Sequence, residues 1–255
     1  MSAKPYFAGA LPRIIAHRGF APTGGTAVEN TIPAFAAALE LGASHLETDV
    51  HASSDGVAIV SHDPDLARLV GRTGTVGDFT TAQLRAFDLG GGAHFSTLAE
   101  VLREFPAARF NIDIKSADAV EPTVAAIREN GATDRVLVSS FSGDRRTRAV
   151  RALPGVATSA SAAGFAVALV ASKLGLTPVM RLALRGVDAV QVPEQALGLR
   201  VTTARVLRQL HSLGVELHVW TINDEPDIER LLDLGVDAII TDRTDLAIRL
   251  RAARD

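Results

Sequence analysis

The feature that most constrains this chain is a repeated unit: an amphipathic segment, a glycine, a short polar step, then an apolar β-rich run. It occurs as Leu39-Glu40-Leu41-Gly42 before His45–His51 and as Arg128-Glu129-Asn130-Gly131 before Arg135–Phe141. It returns as His211-Ser212-Leu213-Gly214 before Glu216–Ile222 and as Leu232-Asp233-Leu234-Gly235 before Ala238–Thr241. A glycine just past a helix supplies the left-handed residue that ends it. Helices that feed short strands in this way build βα units and a largely parallel sheet.

Nine strands are predicted, at 13–17, 45–51, 57–62, 109–115, 135–141, 156–160, 189–193, 216–222 and 238–241. Only Ala52–Gly56 joins the second to the third, and a parallel crossover needs about a dozen residues or more. Those two strands therefore form an antiparallel hairpin turned at Ser54-Asp55-Gly56. Eight strands remain, each followed by a helix-like segment. The expected fold is an α/β (β/α)8 TIM barrel with an antiparallel hairpin extension on strand 2. No linker, low-complexity run or composition shift divides the 255 residues, so 1–255 reads as one barrel domain.

Composition closes several alternatives. The absence of cysteine excludes disulfides, thiol nucleophiles and cysteine-ligated metals. A net charge of −3 offers no broad basic surface for nucleic acid. The most apolar stretch, 160–176, is broken by Gly164, Ser172, Lys173 and Gly175, too short for a membrane span. No signal-like segment precedes Arg13, which points to the cytoplasm.

Side chains alternate along a strand. In Leu46-Glu47-Thr48-Asp49-Val50 the aliphatics face the helices, and Glu47 and Asp49 point into the barrel together. In Phe110-Asn111-Ile112-Asp113-Ile114-Lys115, the residues Asn111, Asp113 and Lys115 point inward. Three inward carboxylates need compensation. Oxygen-only ligands favour one hard divalent cation, Mg2+ or Ca2+; salt bridges to arginines or to Lys115 are the alternative. Lysine occurs only at positions 4, 115 and 173, so an inward Lys115 stands out. His17 and Arg18 end strand 1, where a barrel of this type carries its site. The hairpin is expected to bring His62 opposite Glu47 or Asp49. Two imidazoles beside a cation and an arginine suit phosphoryl chemistry, one taking a proton and the other giving one.

In these residues the chain resembles the glycerophosphodiester phosphodiesterases. The likeness runs through His17-Arg18-Gly19, Glu29-Asn30-Thr31, Glu47-Thr48-Asp49-Val50, Asp55-Gly56 and His62-Asp63. It continues through Asn111–Lys115, Ser139-Ser140-Phe141, Trp220-Thr221-Ile222-Asn223 and Ile240-Thr241-Asp242. The resemblance implies a barrel of the phospholipase C-like phosphodiesterase type and a place in glycerol and lipid metabolism. It also implies hydrolysis of a glycerophosphodiester to sn-glycerol 3-phosphate and an alcohol. By position it makes His17 and His62 the acid–base pair, and Glu47, Asp49 and Asp113 the ligands of one divalent cation. Arg18 and Lys115 match phosphate-binding positions, Glu29 and Asn30 a polar pair lining the site, and Trp220 an aromatic near the substrate. On its own strand Trp220 shares a face with His218 and equally fits the core.

Three residues depart from the family pattern: Val28 where proline is frequent, Ser53 where threonine is usual, and Asp113 where glutamate is common. The last puts the metal preference in doubt. The stretch from Asp63 to Thr97 leaves no room for an inserted capping domain, so the pocket is expected to be open or loop-covered. Among other histidines, His51 shares the inward face of strand 2, His94 lies in a loop near the mouth, and His211 sits at a helix end. Two further readings stay open: a related lipid phosphodiesterase of the lysophospholipase D or sphingomyelinase D kind, which would want an apolar rim, and a barrel that binds phosphate without catalysis.

Overall fold

The computed structural model describes residues 4–21 and 28–254. Strands β1 (Arg13–Ala16), β2 (His45–Ala52) and β3 (Ala58–Val60) come first, then β4 (Arg109–Ile114), β5 (Val136–Ser139), β6 (Ala157–Thr158) and β7 (Ala189–Val192). A short pair follows, β8 (Gln195–Ala196) and β9 (Leu199–Arg200), before β10 (Glu216–Val219) and β11 (Ala238–Thr241). Helix α1 (Ile32–Glu40) follows β1, and α2 (Ala67–Val70), α3 (Thr81–Arg85) and α4 (Leu98–Glu104) separate β3 from β4. Helices α5 (Val120–Glu129) and α6 (Gly143–Ala152) follow β4 and β5, and the hairpin of α7 (Ala162–Leu174) and α8 (Thr177–Ala183) follows β6. Helices α9 (Ala204–Ser212), α10 (Glu225–Leu234) and α11 (Thr244–Ala252) complete the last three units.

Eight strands pair in the order β6-β5-β4-β2-β1-β11-β10-β7, and a parallel bridge from Ser159 to Ala189 joins β6 to β7. The result is the expected (β/α)8 barrel. Local chemistry explains the punctuation. Thr31 caps α1 through its hydroxyl, with proline in the first turn, and Thr97 and Glu100 form a reciprocal capping box on α4. The four glycines that separate helix from strand in the sequence all adopt positive φ.

Strand β3 pairs with β2, antiparallel, through Val50–Val60, His51–Ile59 and Ala52–Ala58, and its other edge bridges from Ile59 to Thr97. The turn is a three-residue loop, Ser54 to Gly56, closed by the Ser53 N–H on the Val57 carbonyl at 2.9 Å. This corrects the expected register. Continued by its own spacing, the ladder sets His62 across from Thr48, between Glu47 and Asp49 rather than facing either. The last ladder bond runs from the Ser61 N–H to the Asp49 carbonyl at 3.0 Å. His62 lies beyond it and lines the barrel mouth.

Apolar packing sits between sheet and helices. Leu46, Val50, Phe110, Ile112 and Ile114 pack outward in one cluster, and Val190, Leu217, Val219 and Ile239 in another. Inside the barrel the residues are largely polar. Tyr6 and Phe7 pack on Leu137, Ala157 and Ala189, and the His45 ring meets the Tyr6 carbonyl at 2.8 Å. The stretch from Asp63 to Thr97 forms no domain-sized insert; Leu66, Val76, Leu84 and Phe95 pack on Ile59 in a small cluster of their own. Among the described residues no helix is long and apolar enough to cross a membrane.

Gly19, at φ +83°, turns the chain out of β1 against α1, and the Phe20 N–H donates to the Ala34 carbonyl at 2.9 Å. A Cβ at Gly19 would stand 2.7 Å from the Ala34 carbonyl carbon. Urea denaturation of Gly19→Ala is expected to show a loss of about 2–4 kcal/mol, combining backbone strain with overpacking. Gly56→Ala, at φ +76° but in open space, is expected to lose only about 1 kcal/mol.

Candidate active site

Strand register assembles the site. Parallel pairing sets Glu47 beside Asn111 and Asp49 beside Asp113 on β2 and β4, so two carboxylates meet directly across the ladder. Ala16 pairs with Thr241, which places His17 and Asp242 side by side just beyond β1 and β11. His17, Glu47, Asp49, Asn111 and Asp113, with Arg18, His62 and Lys115, line one cavity of about 410 Å³ at the C-terminal end of the barrel.

Charge is concentrated there with little water. Asp49 is 1% exposed, Glu47 6% and Asp113 7%. The Lys115 ammonium bridges Asp49 Oδ1 and Asp113 Oδ2, at 2.8 Å each. Arg18 Nε stands 3.5 Å from Asp49 Oδ2, and the Asn30 amide donates to that oxygen at 3.1 Å. The bridge to Lys115 that the sequence left as an alternative is therefore present. It does not satisfy the cluster. Burial, reinforced by Asp49, pushes the Glu47 carboxyl up to about 8, and burial raises Asp113 although Lys115 opposes it. Asp113 Oδ1 and Asn111 Oδ1 are buried with no hydrogen-bond partner among the described residues. Lys115 itself is shifted upward: burial opposes its charge, but Asp49 and Asp113 outweigh burial.

Each cavity histidine is held by a carboxylate. His17 Nδ1 lies 2.7 Å from Asp242 Oδ1, and Asn223 Nδ2 donates to Asp242 Oδ2 at 2.7 Å. His62 Nδ1 lies 2.7 Å from Asp63 Oδ1, and Arg68 Nε donates to Asp63 Oδ2 at 2.5 Å. A carboxylate on Nδ1 selects the tautomer with the proton there and leaves Nε2 for chemistry. For His17 that nitrogen sits 3.9 Å from Glu47 Oε2. Burial disfavours charge on His17, yet the hydrogen bond to Asp242 and the field of Glu47 outweigh it and raise the imidazole. His51, also on the inward face, meets the His62 carbonyl through Nε2 at 3.1 Å and braces the loop that carries the second imidazole.

Two residues singled out by the sequence do not reach the cavity wall. Glu29 Oε1 accepts from Arg18 Nη1 at 3.1 Å and from Arg68 Nη2 at 2.5 Å. Asn30 donates to Asp49 and accepts from the Thr48 hydroxyl at 2.8 Å. Both hold wall residues from behind. Asn30 and the wall residue Arg18 both take left-handed backbones, φ 58° and 55°, and at Arg18 the strain is offset by its N–H donating to Glu47 Oε2 at 3.1 Å. Trp220 does line the cavity, edge-on to Phe141 at 6.2 Å, while His218 is fully buried inside the barrel. His94 lies outside the cavity, on the Phe87 carbonyl, and His211 pairs with Asp237 at 2.8 Å.

Asp63, Asp242, Asn223 and Arg68 received no role from the sequence. Asp242 follows a barrel strand directly, the criterion that picked out His17. Arg68 carried no signal, because only the fold brings this α2 residue onto Asp63 and Glu29. Of the far wall only Trp220 was expected: Phe141, Phe165 and Leu197 join it to make that wall apolar, with Phe141 57% and Leu197 65% exposed.

The family model described as the glycerophosphoryl diester phosphodiesterase family matches residues 17–246. A probable glycerophosphodiester phosphodiesterase 2 of Mycobacterium tuberculosis is 43% identical over 242 residues, 94% of this chain and 90% of that protein. The crystal structure of a Thermotoga maritima glycerophosphodiester phosphodiesterase superposes with a TM-score of 0.74 at 28% identity, over 96% of this chain and 100% of that one. An Oleispira antarctica phosphodiesterase, in complex with its product sn-glycerol-3-phosphate, superposes at 0.73 with 23% identity, over 96% and 97%.

Glu47 binds its proton more tightly folded than unfolded, so its share of stability is full below about pH 4.5 and is lost as pH rises through about 8. Glu47→Gln imitates the protonated form at every pH. In chelator, the Tm of Glu47→Gln minus that of the wild type is expected to be near zero at pH 4, to grow between those limits and then to level off.

Proposed function

Because this chain belongs to the glycerophosphoryl diester phosphodiesterase family and is a phosphodiesterase of that class, we propose that it hydrolyses a glycerophosphodiester to sn-glycerol 3-phosphate and an alcohol, with His17 and His62 as acid and base. The observation that carries this reading is the placement of two carboxylate-held imidazoles, Arg18 and Lys115 around one cavity. The product bound in the Oleispira antarctica structure supports the same outcome.

A water, or the substrate's own glycerol hydroxyl with water then opening the cyclic phosphate, attacks phosphorus and forms one P–O bond as the bond to the leaving alcohol breaks. The unprotonated imidazole accepts the proton of the attacking hydroxyl at Nε2. The protonated one donates to the departing alcohol oxygen, and the carboxylates on Nδ1 stabilise the imidazolium at each stage. Two of the three Lys115 N–H groups point to carboxylates, which leaves the third for a phosphate oxygen. The planar Arg18 guanidinium supplies further donors to that phosphate. Glu29 and Asn30 act indirectly, fixing Arg18 and Asp49.

The donor set suits a hard divalent cation, Mg2+ or Ca2+. Among the described residues no three acidic or imidazole groups converge as a ready-made metal site, since Lys115 spans Asp49 and Asp113. The chemistry nevertheless fits. Glu47, Asp49 and Asp113 offer oxygen only, two acceptor oxygens are buried without a partner among the described residues, Glu47 holds a proton that a cation would displace, and burial shifts Asp113 in the same direction. When bound, such a cation polarises the phosphoryl oxygens and offsets the carboxylate charge.

The apolar wall favours a second reading, a diester whose glycerol carries an acyl chain. A coupled assay for glycerol 3-phosphate on glycerophosphocholine, run beside choline release from lysophosphatidylcholine, separates the two readings.

On the productive substrate, His17→Ala and His62→Ala are each expected to lower kcat by about 10²- to 10⁴-fold. Unchanged turnover in both variants would sink the acid–base pair. Chelator is expected to abolish turnover and Mg2+ or Ca2+ to restore it, with tighter cation binding at higher pH as the carboxyls release protons. Full turnover in chelator rules the cation out. Asp242→Asn replaces the charged acceptor that lifts His17 against burial by a neutral amide, so the pH–rate limb belonging to His17 is expected to move to lower pH.

A further inference from the structure

Ten large apolar side chains stand exposed among the described residues, and six of them fall within the α7–α8 hairpin: Val167, Val170, Leu174, Leu176, Val179 and Leu182. Of the five exposed positions on α7, 163, 167, 170 and 174 follow helical spacing and form one stripe, and all four are apolar. The opposite side of α7 is already packed, through Ala168, Leu169 and Ala171. Patches of this kind mark an interaction surface.

Two observations say what it meets. Residues 162 to 187 contain Lys173, Arg181 and Arg185 and no acidic residue, and both arginines are exposed. The same helix also forms the cavity wall, through Ala162, Phe165 and Ala166, and Lys173 Nζ ties the far end of α7 to the Arg200 carbonyl in the β8–β9 hairpin, which presents Leu197 at the cavity mouth. An apolar face flanked by cations beside the mouth of a phosphodiester-binding cavity has the chemistry of an anionic lipid surface. A second copy fits less well, since a two-fold contact across this face would bring Arg181 and Arg185 against their own equivalents.

We propose that the α7–α8 face docks this protein on anionic lipid surfaces, with Val167, Val170, Leu174, Leu176, Val179 and Leu182 seated at the interface and Arg181 and Arg185 on the headgroups. The docking itself is independent of the reaction proposed above; only its benefit, presenting the cavity to diesters at the surface, rests on that reading.

Sedimentation with vesicles of phosphatidylcholine containing phosphatidylglycerol, against vesicles of phosphatidylcholine alone, tests it. The full chain is expected to pellet with the anionic vesicles and to be partly released by salt. The double variants Val170→Glu/Leu174→Glu and Arg181→Glu/Arg185→Glu are each expected to weaken that partition by about tenfold or more. Both should keep the wild-type turnover of soluble glycerophosphocholine, which also reports that they fold, and the arginine pair alters no packed side chain. Absence of vesicle binding overturns the proposal. So does binding that neither pair weakens, or a dimer in light scattering that Val170→Glu/Leu174→Glu dissolves without any lipid binding. Loss of the soluble reaction with vesicle binding intact counts against the phosphodiesterase mechanism and leaves the docking face standing.

Discussion

Glu47, Asp49 and Asp113 project from two neighbouring strands into a barrel mouth that water barely reaches, and the arrangement around them follows from the cost of that burial. Like charges set directly across a ladder repel, and removal from water penalises each ionised form. Lys115 places an ammonium between two of the three; Arg18 and Asn30 reach the outer oxygen of Asp49; the backbone N–H of a strained Arg18 reaches Glu47. The cluster ionises in full only when something beyond its own cations compensates it, since Glu47 keeps its proton up to about pH 8. Its oxygen-only donors suit a hard cation, and the basic groups beside them suit an anionic ligand.

The imidazoles sit at the edge of this cluster, each on a carboxylate that does no other chemistry. Asp242 is anchored by Asn223, and Asp63 by Arg68, which continues through Glu29 to Arg18. The His62 imidazole and the Arg18 guanidinium thus share one hydrogen-bonded network. Beyond it the cavity changes character to Phe141, Phe165, Leu197 and Trp220. A phosphodiester with one polar and one less polar side meets complementary walls, and the apolar wall continues along α7 to the exposed face of the α7–α8 hairpin.

Much of this was legible from residue order. The helix–glycine–strand repeat marked four of the eight barrel strands and set the βα pattern, and the five residues after β2 forced the hairpin. Period-two alternation correctly sent Leu46, Val50, Phe110, Ile112 and Ile114 outward and the carboxylates inward. What alternation could not supply was register. The three-residue hairpin loop moved His62 half a step from its expected partners, and β8 and β9 were too short to carry a periodic signal. Glu29 and Asn30 matched the family motif, but motif membership does not say whether a side chain faces the cavity or supports one that does. Their neighbours Arg18, Asp49 and Arg68 decide that.

The sequence by itself determined the elements, the barrel and the chemical inventory of the mouth, because strand and helix periodicity and glycine punctuation are local properties of the chain. Only the tertiary structure decided which carboxylate holds which imidazole, that Lys115 bridges rather than stands free, that Glu29 works through two arginines, and that α7 leaves an apolar stripe uncovered. Those outcomes depend on strand register, loop paths and the packing of one helix beside another. They are distances between residues far apart along the chain, and no local pattern encodes them.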